Sequence, residues 1–319
     1  MSNKTPLPSP AFGPQDQRAG LIAGIACYAI WGCMPFLFAA LHRASPVEIL
    51  GHRIVWSLVF CVIVLAISRR LGKVRAALRD ASLVRTLALA TVLILINWLV
   101  YVFAVSTNHV LDASLGYFIN PLVTVLLAVV VQRERISPLT WIAVGFGTAA
   151  VVVLTVGLGK LPWISLALAL SFGFYGLIKS RVGSRVDSLT SLSVETLLAT
   201  PFALVFLMWL WSQGESSFGS ANAVHSGLLI ASGVITAVPL IFFGFAAQRL
   251  PLSILGILQY LGPTLQFVFG LLVFKEPMPT ARWIGFGLVW IAIVLFVFAA
   301  ARQSRALALA QHQNQSQPQ

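Results

Sequence analysis

Charge is scarce in this chain of 319 residues: 9% are Asp, Glu, Lys or Arg, against roughly 25% in ordinary soluble domains. Apolar residues make up 58%, more than a soluble core can use, because such a core stops growing near ~250–300 residues and still needs a polar skin. A soluble globular domain is therefore excluded. Cysteine is nearly absent, and Cys27, Cys33 and Cys61 sit inside apolar runs with no C-x-x-C spacing, so neither a disulfide framework nor a zinc site follows. There is no G-x-x-x-x-G-K-[ST] loop, which excludes pumping by ATP hydrolysis within this chain. H-E-x-x-H and G-x-S-x-G are missing too, which removes the commonest hydrolase signatures. No cofactor and no metal are expected.

Acidic groups are the rarest charges, 9 beside 21 Lys and Arg, for a net charge of +12. The basic residues lie in short gaps between apolar runs rather than along one face. Nucleic-acid binding is not expected, since the positive-inside rule accounts for such gaps. Residues 1–19 are polar and proline-rich without a signal-peptide pattern, and with residues 302–319 they are expected to be disordered cytoplasmic segments.

A membrane-spanning helix takes about 20 mostly apolar residues. Ten runs fit that length, roughly 20–41, 47–67, 83–105, 110–131, 138–157, 161–179, 188–211, 225–247, 251–274 and 280–301. Pro46, Pro138, Pro162 and Pro251 open helices, where the missing N–H is harmless. Pro35, Pro121, Pro201, Pro239 and Pro263 fall inside spans and bend them. With the N-terminus in the cytoplasm, the outer side keeps only Arg43, Lys160, Lys275 and Arg282, while the inner side collects nearly all other Lys and Arg. Both termini are thus expected inside.

The chain also repeats itself. Pro121, Glu134, Trp141-Ile142 and Gly145 return as Pro263, Glu276, Trp283-Ile284 and Gly287 at one fixed offset, which also carries Arg53 onto Glu195 and Phe103-Ala104 onto Phe245-Ala246. Such self-similarity marks an internal duplication, with copies at 20–157 and 161–301. Five spans per copy is an odd number, so the second copy enters the membrane upside down. The expected fold is all-α, two inverted five-helix repeats, an architecture recurrent in secondary transporters.

Among polar residues inside spans, Arg53 is the sharpest candidate, about six residues into the second span and so ~9 Å deep. Intramembrane charges mark pathways by default; the bland reading is a snorkelling side chain, or a pair with Glu48. Glu195 occupies the mirrored place and is a candidate for coupling to protons or a cation, or an interfacial carboxylate near Lys179 and Arg185. The depths leave ~10 Å between Arg53 and Glu195 along the normal, so no direct contact is expected. His52, beside Arg53, is a second coupling candidate. Asn97, Trp98 and Tyr101 in the third span, Asn120 in the fourth, and Gln259 and Tyr260 in the ninth suggest a polar lining, or helix-to-helix hydrogen bonding at ~0.6 kcal/mol apiece. Tyr28, Trp31 and Tyr175 form a substrate wall or core. Asp112 reads as a helix cap, and the Gly145-x-Gly147 and Gly285-x-Gly287 pairs as close-packing points.

His52-Arg53-x-x-Trp56-Ser57, Asn97-Trp98-x-x-Tyr101, the run Ser114-Leu115-Gly116-Tyr117-Phe118-Ile119-Asn120-Pro121 and Gly256-x-Leu258-Gln259-Tyr260 together resemble the RarD proteins of the EamA branch of the drug/metabolite transporter superfamily. The resemblance spans about 20–301. It implies a bacterial inner-membrane permease of ten helices with a central cavity lined by both halves, a name tied to chloramphenicol sensitivity, and no settled substrate. The expectation is a carrier of a small amphipathic metabolite or drug-like solute working by alternating access, with the lipid bilayer as its surroundings. A non-transporting member, or an intramembrane lipid-processing protein using Ser57 or Cys61, is the alternative. Proton coupling and a homodimer are left open.

Overall fold

A computed structural model describes residues 14–132, 136–182, 185–247, 249–250, 254 and 258–315. All regular structure among them is helical: α1 (Pro14–Ala40), α2 (Pro46–Ile67), α3 (Leu71–Arg79), α4 (Ala81–Ser106), α5 (Val110–Gln132), α6 (Pro138–Leu158), α7 (Trp163–Val182), α8 (Ser188–Ser212), α9 (Ala223–Ala247), α10 (Leu261–Leu272) and α11 (Thr280–Gln315). Eight described helices are long and apolar enough to cross a membrane, and Trp163–Lys179 and Leu261–Leu272 are shorter apolar helices. Glu134, with Arg133, Arg135 and Pro251, lies outside the described residues.

Local chemistry places the helix starts. Ser45 and Ser137 accept the amides of Glu48 (3.1 Å) and Thr140 (3.2 Å), each followed by a proline at the first helical position. Asp187, which the repeat offset matches to Ser45, caps α8 through the Thr190 amide at 3.0 Å. Asp80 caps α4 through Leu83 at 3.0 Å. That amide, with Arg185 adding to it, holds the Asp80 carboxyl below the usual carboxylate range. Pro35, Pro121, Pro201 and Pro239 lie inside helices as expected, whereas Pro263 falls in the first turn of α10.

Three elements differ from the sequence expectation. A short helix, α3, occupies the basic gap after α2, with Leu71, Val74 and Leu78 at helical spacing between Lys73, Arg75 and Arg79. α11 runs on to Gln315 instead of ending near 301, through the Ala-Leu stretch 306–310, whose residues are strong helix formers. Of the two glycine pairs, only Gly147 against Leu122 and Gly285 against Leu154 sit where a Cβ would collide, while Gly145 and Gly287 face open space.

The helices pack chiefly across the duplication rather than within each copy. α1 lies on α9 and α7 on α4; α5 lies on α7 and α10 on α1; α2 crosses α8, α5 crosses α10, and α6 pairs with α11. Exchanging each helix for its counterpart in the other copy maps this set of pairs onto itself, as a two-fold relation requires. With five spans in each copy, the two thread the bilayer in opposite senses. Trp163, Trp209, Trp211 and Trp283 are exposed near helix ends, where an aromatic belt meets the lipid interface.

One end of the bundle is stitched shut. Glu276 accepts the amides of Val110 and Leu111, the latter at 3.0 Å, and so satisfies orphan donors at the start of α5. Asp112 is not the cap of its own helix: it pairs with Arg282 at 3.0 Å. Glu48 accepts from the Ser217 amide (2.7 Å) and the Ser216 hydroxyl (3.1 Å). Glu276→Ala should therefore cost about 1–2 kcal/mol, as loss of a helix cap does. Glu276→Gln, which keeps an acceptor, should cost less, and thermal unfolding in detergent checks the order.

Candidate functional site

A cavity of about 470 Å³ lies between the two copies, walled by α1, α4, α7 and α9. It reaches the surface between the C-terminal end of α7 and the start of α8, where Lys179, Val182, Val186 and Ser188 line it. That opening is at the end opposite the Glu276 and Glu48 stitches.

Nine of the residues singled out in the sequence line the cavity: Tyr28, Trp31, Arg53, Asn97, Trp98, Tyr101, Asn120, Tyr175 and Gln259. Tyr260 does not. Gln259 and Tyr260 lie in a turn rather than a helix, and the Tyr260 ring stacks on Phe118 with centroids 6.4 Å apart. His52 also lies off the cavity, its ring stacked at 4.7 Å on Phe218 towards the closed end. Glu195 stands behind the wall, with 1% of its side chain exposed.

Arg53 is 4% exposed. Its Nε donates to the Thr236 hydroxyl at 2.7 Å, and the guanidinium carbon lies 4.3 Å from the Trp98 ring centroid and 5.5 Å from that of Phe38. Neither Glu48 nor Glu195 pairs with it; Glu48 is engaged at the closed end, and Glu195 takes the ammonium of Lys179 at 2.7 Å. The Arg53 Nη1 is buried and has no partner. Three further cavity residues, Tyr101, Asn120 and Gln266, also present a buried polar atom without a partner: the hydroxyl, Oδ1 and Oε1 respectively. Buried polar groups are normally satisfied, so a cluster of exceptions around one cavity leaves hydrogen-bonding capacity for a ligand.

Other polar side chains serve the scaffold. Asn97 donates to the Leu168 carbonyl and the Ser171 hydroxyl, both at 3.1 Å, and accepts from the Tyr117 hydroxyl at 3.1 Å, tying α4 to α7. Gln266 donates to the Trp31 carbonyl at 3.2 Å. Tyr28 and Trp31 meet edge to face at 5.5 Å, and Trp31 lies 6.5 Å from Phe243; these rings give the cavity an apolar wall. Glu195 is held by Lys179, by the Tyr175 hydroxyl at 3.1 Å and by the Ser191 hydroxyl at 2.8 Å, and Lys179 also donates to Ser191.

The sequence reading missed Tyr117, Lys179, Thr236, Gln266, Phe172 and Phe243 as lining residues. Helical spacing could have found two of them: Lys179 is one turn past Tyr175, and Tyr117 one turn before Asn120. Ser57 and Cys61, the nucleophiles an intramembrane enzyme would use, are fully buried away from the cavity, and Ser57 spends its hydroxyl on the Gly233 carbonyl at 3.0 Å. Among the described residues no group of three or more His, Cys, Asp or Glu could hold a metal ion.

Comparison with known proteins agrees with this architecture. The model of the EamA-like transporter family matches twice, over residues 18–156 and 161–298, the same division that the internal repeat draws. The protein RarD of Streptomyces exfoliatus is 46% identical over 280 residues, covering 88% of each chain. RarD of Escherichia coli K12 is 37% identical over 282 residues, covering 88% of this chain and 95% of its own. A solved crystal structure of 18% sequence identity superposes with a TM-score of 0.58 over 90% of this chain and 99% of that one, which shows the fold alone. The chain is a multi-pass membrane protein that belongs to the EamA-like transporter family, within its RarD group.

Proposed function

We propose that the protein is a bacterial inner-membrane secondary carrier, with both termini cytoplasmic, that moves a small amphipathic solute bearing an anionic group. The observation that carries this reading is Arg53, buried in the cavity wall with a guanidinium nitrogen that no protein group satisfies. An unpaired charge there costs several kcal/mol, and a carboxylate or similar anion entering the cavity would remove that cost. The rings of Tyr28, Trp31, Trp98 and Tyr175 would take the apolar part. Asn97, Tyr101, Asn120 and Gln259 complete the proposed binding set, and Tyr260 supports it from behind through Phe118.

Alternating access follows from the two-fold. The cavity opens at the end that the charge distribution assigns to the cytoplasm, and exchange of roles between the copies would close that end and open the other. Glu195 is the proposed coupling group: protonating it would release Lys179 and add a positive charge beside the cavity, favouring the anion. His52, stacked at the closed end, would act in the opening of that end rather than in binding.

A thermal-shift screen of aromatic carboxylates, organic acids and drug-like solutes tests the reading. A Pseudomonas aeruginosa relative, 28% identical, is named a chloramphenicol-sensitive protein, which puts chloramphenicol in the screen. A ligand should raise the melting temperature with concentration, and preloaded proteoliposomes should then exchange it for labelled ligand. A ligand that binds but shows no counterflow would sink the carrier reading and favour a non-transporting member of the family.

A further inference from the structure

We infer that the cavity carries one net positive charge and selects monoanions over dianions, with Glu195 setting that value by cancelling Lys179. The inference rests on the anion-binding reading above and adds to it the charge class of the substrate. Two ionised side chains line the cavity among the described residues, Arg53 and Lys179. They are not equivalent. Lys179 faces the mouth and is neutralised by Glu195 at 2.7 Å, which the Tyr175 and Ser191 hydroxyls hold in place. Arg53 lies deeper, with its Nη1 unpartnered and only neutral groups, Thr236, Trp98 and Phe38, against it. The undescribed stretches 251–253 and 255–257 hold no ionisable side chain, so they do not alter the count.

Inside a low-dielectric cavity the sum of charges matters more than in water. A monoanion on Arg53 brings the cavity to neutrality. A dianion leaves one charge desolvated and unpaired, which is strongly unfavourable. Glu195 thus acts at one remove: it touches Lys179, not the solute, and tunes which solute charge is accepted. This makes it a specificity-determining residue distinct from the groups that contact the ligand.

The test uses the purified full-length chain at pH 8, where benzoate carries one negative charge and phthalate two, and compares their dissociation constants. The wild type should prefer benzoate. Glu195→Gln, which frees the Lys179 charge, should move the ratio towards phthalate on the order of tenfold. Lys179→Gln, which leaves Glu195 unpaired, should move it the opposite way and weaken both ligands. The double variant Glu195→Gln/Lys179→Gln should restore the wild-type ratio, a return that mere distortion of α7 and α8 would not produce, and it keeps the test available if a single variant fails to fold. A ratio that stays put in both single variants, or a double variant that does not return to the wild-type value, would overturn the inference while leaving anion binding intact. Failure of both ligands to bind the wild type would instead overturn the anion-binding reading itself, and the inference with it.

Discussion

Arg53→Ala protein should bind aromatic carboxylates on the order of 100-fold more weakly than the wild type while unfolding at the same temperature or higher. Truncating one member of a buried charge-assisted pair costs about 2–5 kcal/mol of binding, and 100-fold is about 2.7 kcal/mol of it. The stability arm has the opposite sign because, without ligand, the guanidinium is a desolvated charge with one hydrogen bond, to Thr236, and an unpartnered Nη1. Replacing such a group by an apolar one is often neutral or stabilising. Arg53→Lys should fall between the two in affinity, since it keeps the charge but loses the planar contact with Trp98 and the fixed fork of donors. Affinity within twofold of wild type in Arg53→Ala would remove Arg53 from the binding site. Arg53→Ala protein that bound weakly but also unfolded much earlier would make its role structural.

The second large effect belongs to Gly233. At the crossing of α2 and α9, a Cβ built on Gly233 runs into the main chain of Trp56 and Ser57, and backbone cannot swing aside as a flexible side chain can. Gly233→Val should cost about 3 kcal/mol or more, the upper range for overpacking a core, read as a lowered unfolding midpoint in detergent. Gly287→Ala is the matched control, because nothing lies within 4 Å of the added carbon. It should stay within about 0.5 kcal/mol of wild type, or gain slightly from helix propensity. Equal midpoints for the two variants would mean that the α2–α9 crossing is looser than the structure shows.

The span pattern and the duplication were open to reading from sequence because both are periodic signals, one of about twenty apolar residues and one of fixed offset. Arg53 was found for a related reason: a charge within an apolar run is visible without any structure. What depended on partners far along the chain was not. Asp112 looked like a local cap, yet it answers Arg282, and the amides it was expected to serve go to Glu276. Lys179 looked like a residue at a helix end, and only the packing of α7 against its neighbours brings it to the cavity wall. Gln259 and Tyr260 were read as one polar pair inside a helix. The backbone there is a turn, so the helical direction rule does not apply and the two side chains part company. α3 was concealed by its length, since a 9-residue helix is far too short to register as a span.

The cross-copy packing also constrains where such a chain could come from. Because α1 covers α9, α5 covers α7 and α6 covers α11, one half expressed by itself would present most of its interhelical faces to lipid with nothing to meet them. An ancestor holding a single copy would have needed two identical chains inserted in opposite directions to bury the same surfaces. Joining the genes head to tail would then have fixed a ratio and an orientation that separate polypeptides had to reach by chance, and freed the two halves to diverge until an arginine in one faced a glutamate at the equivalent place in the other.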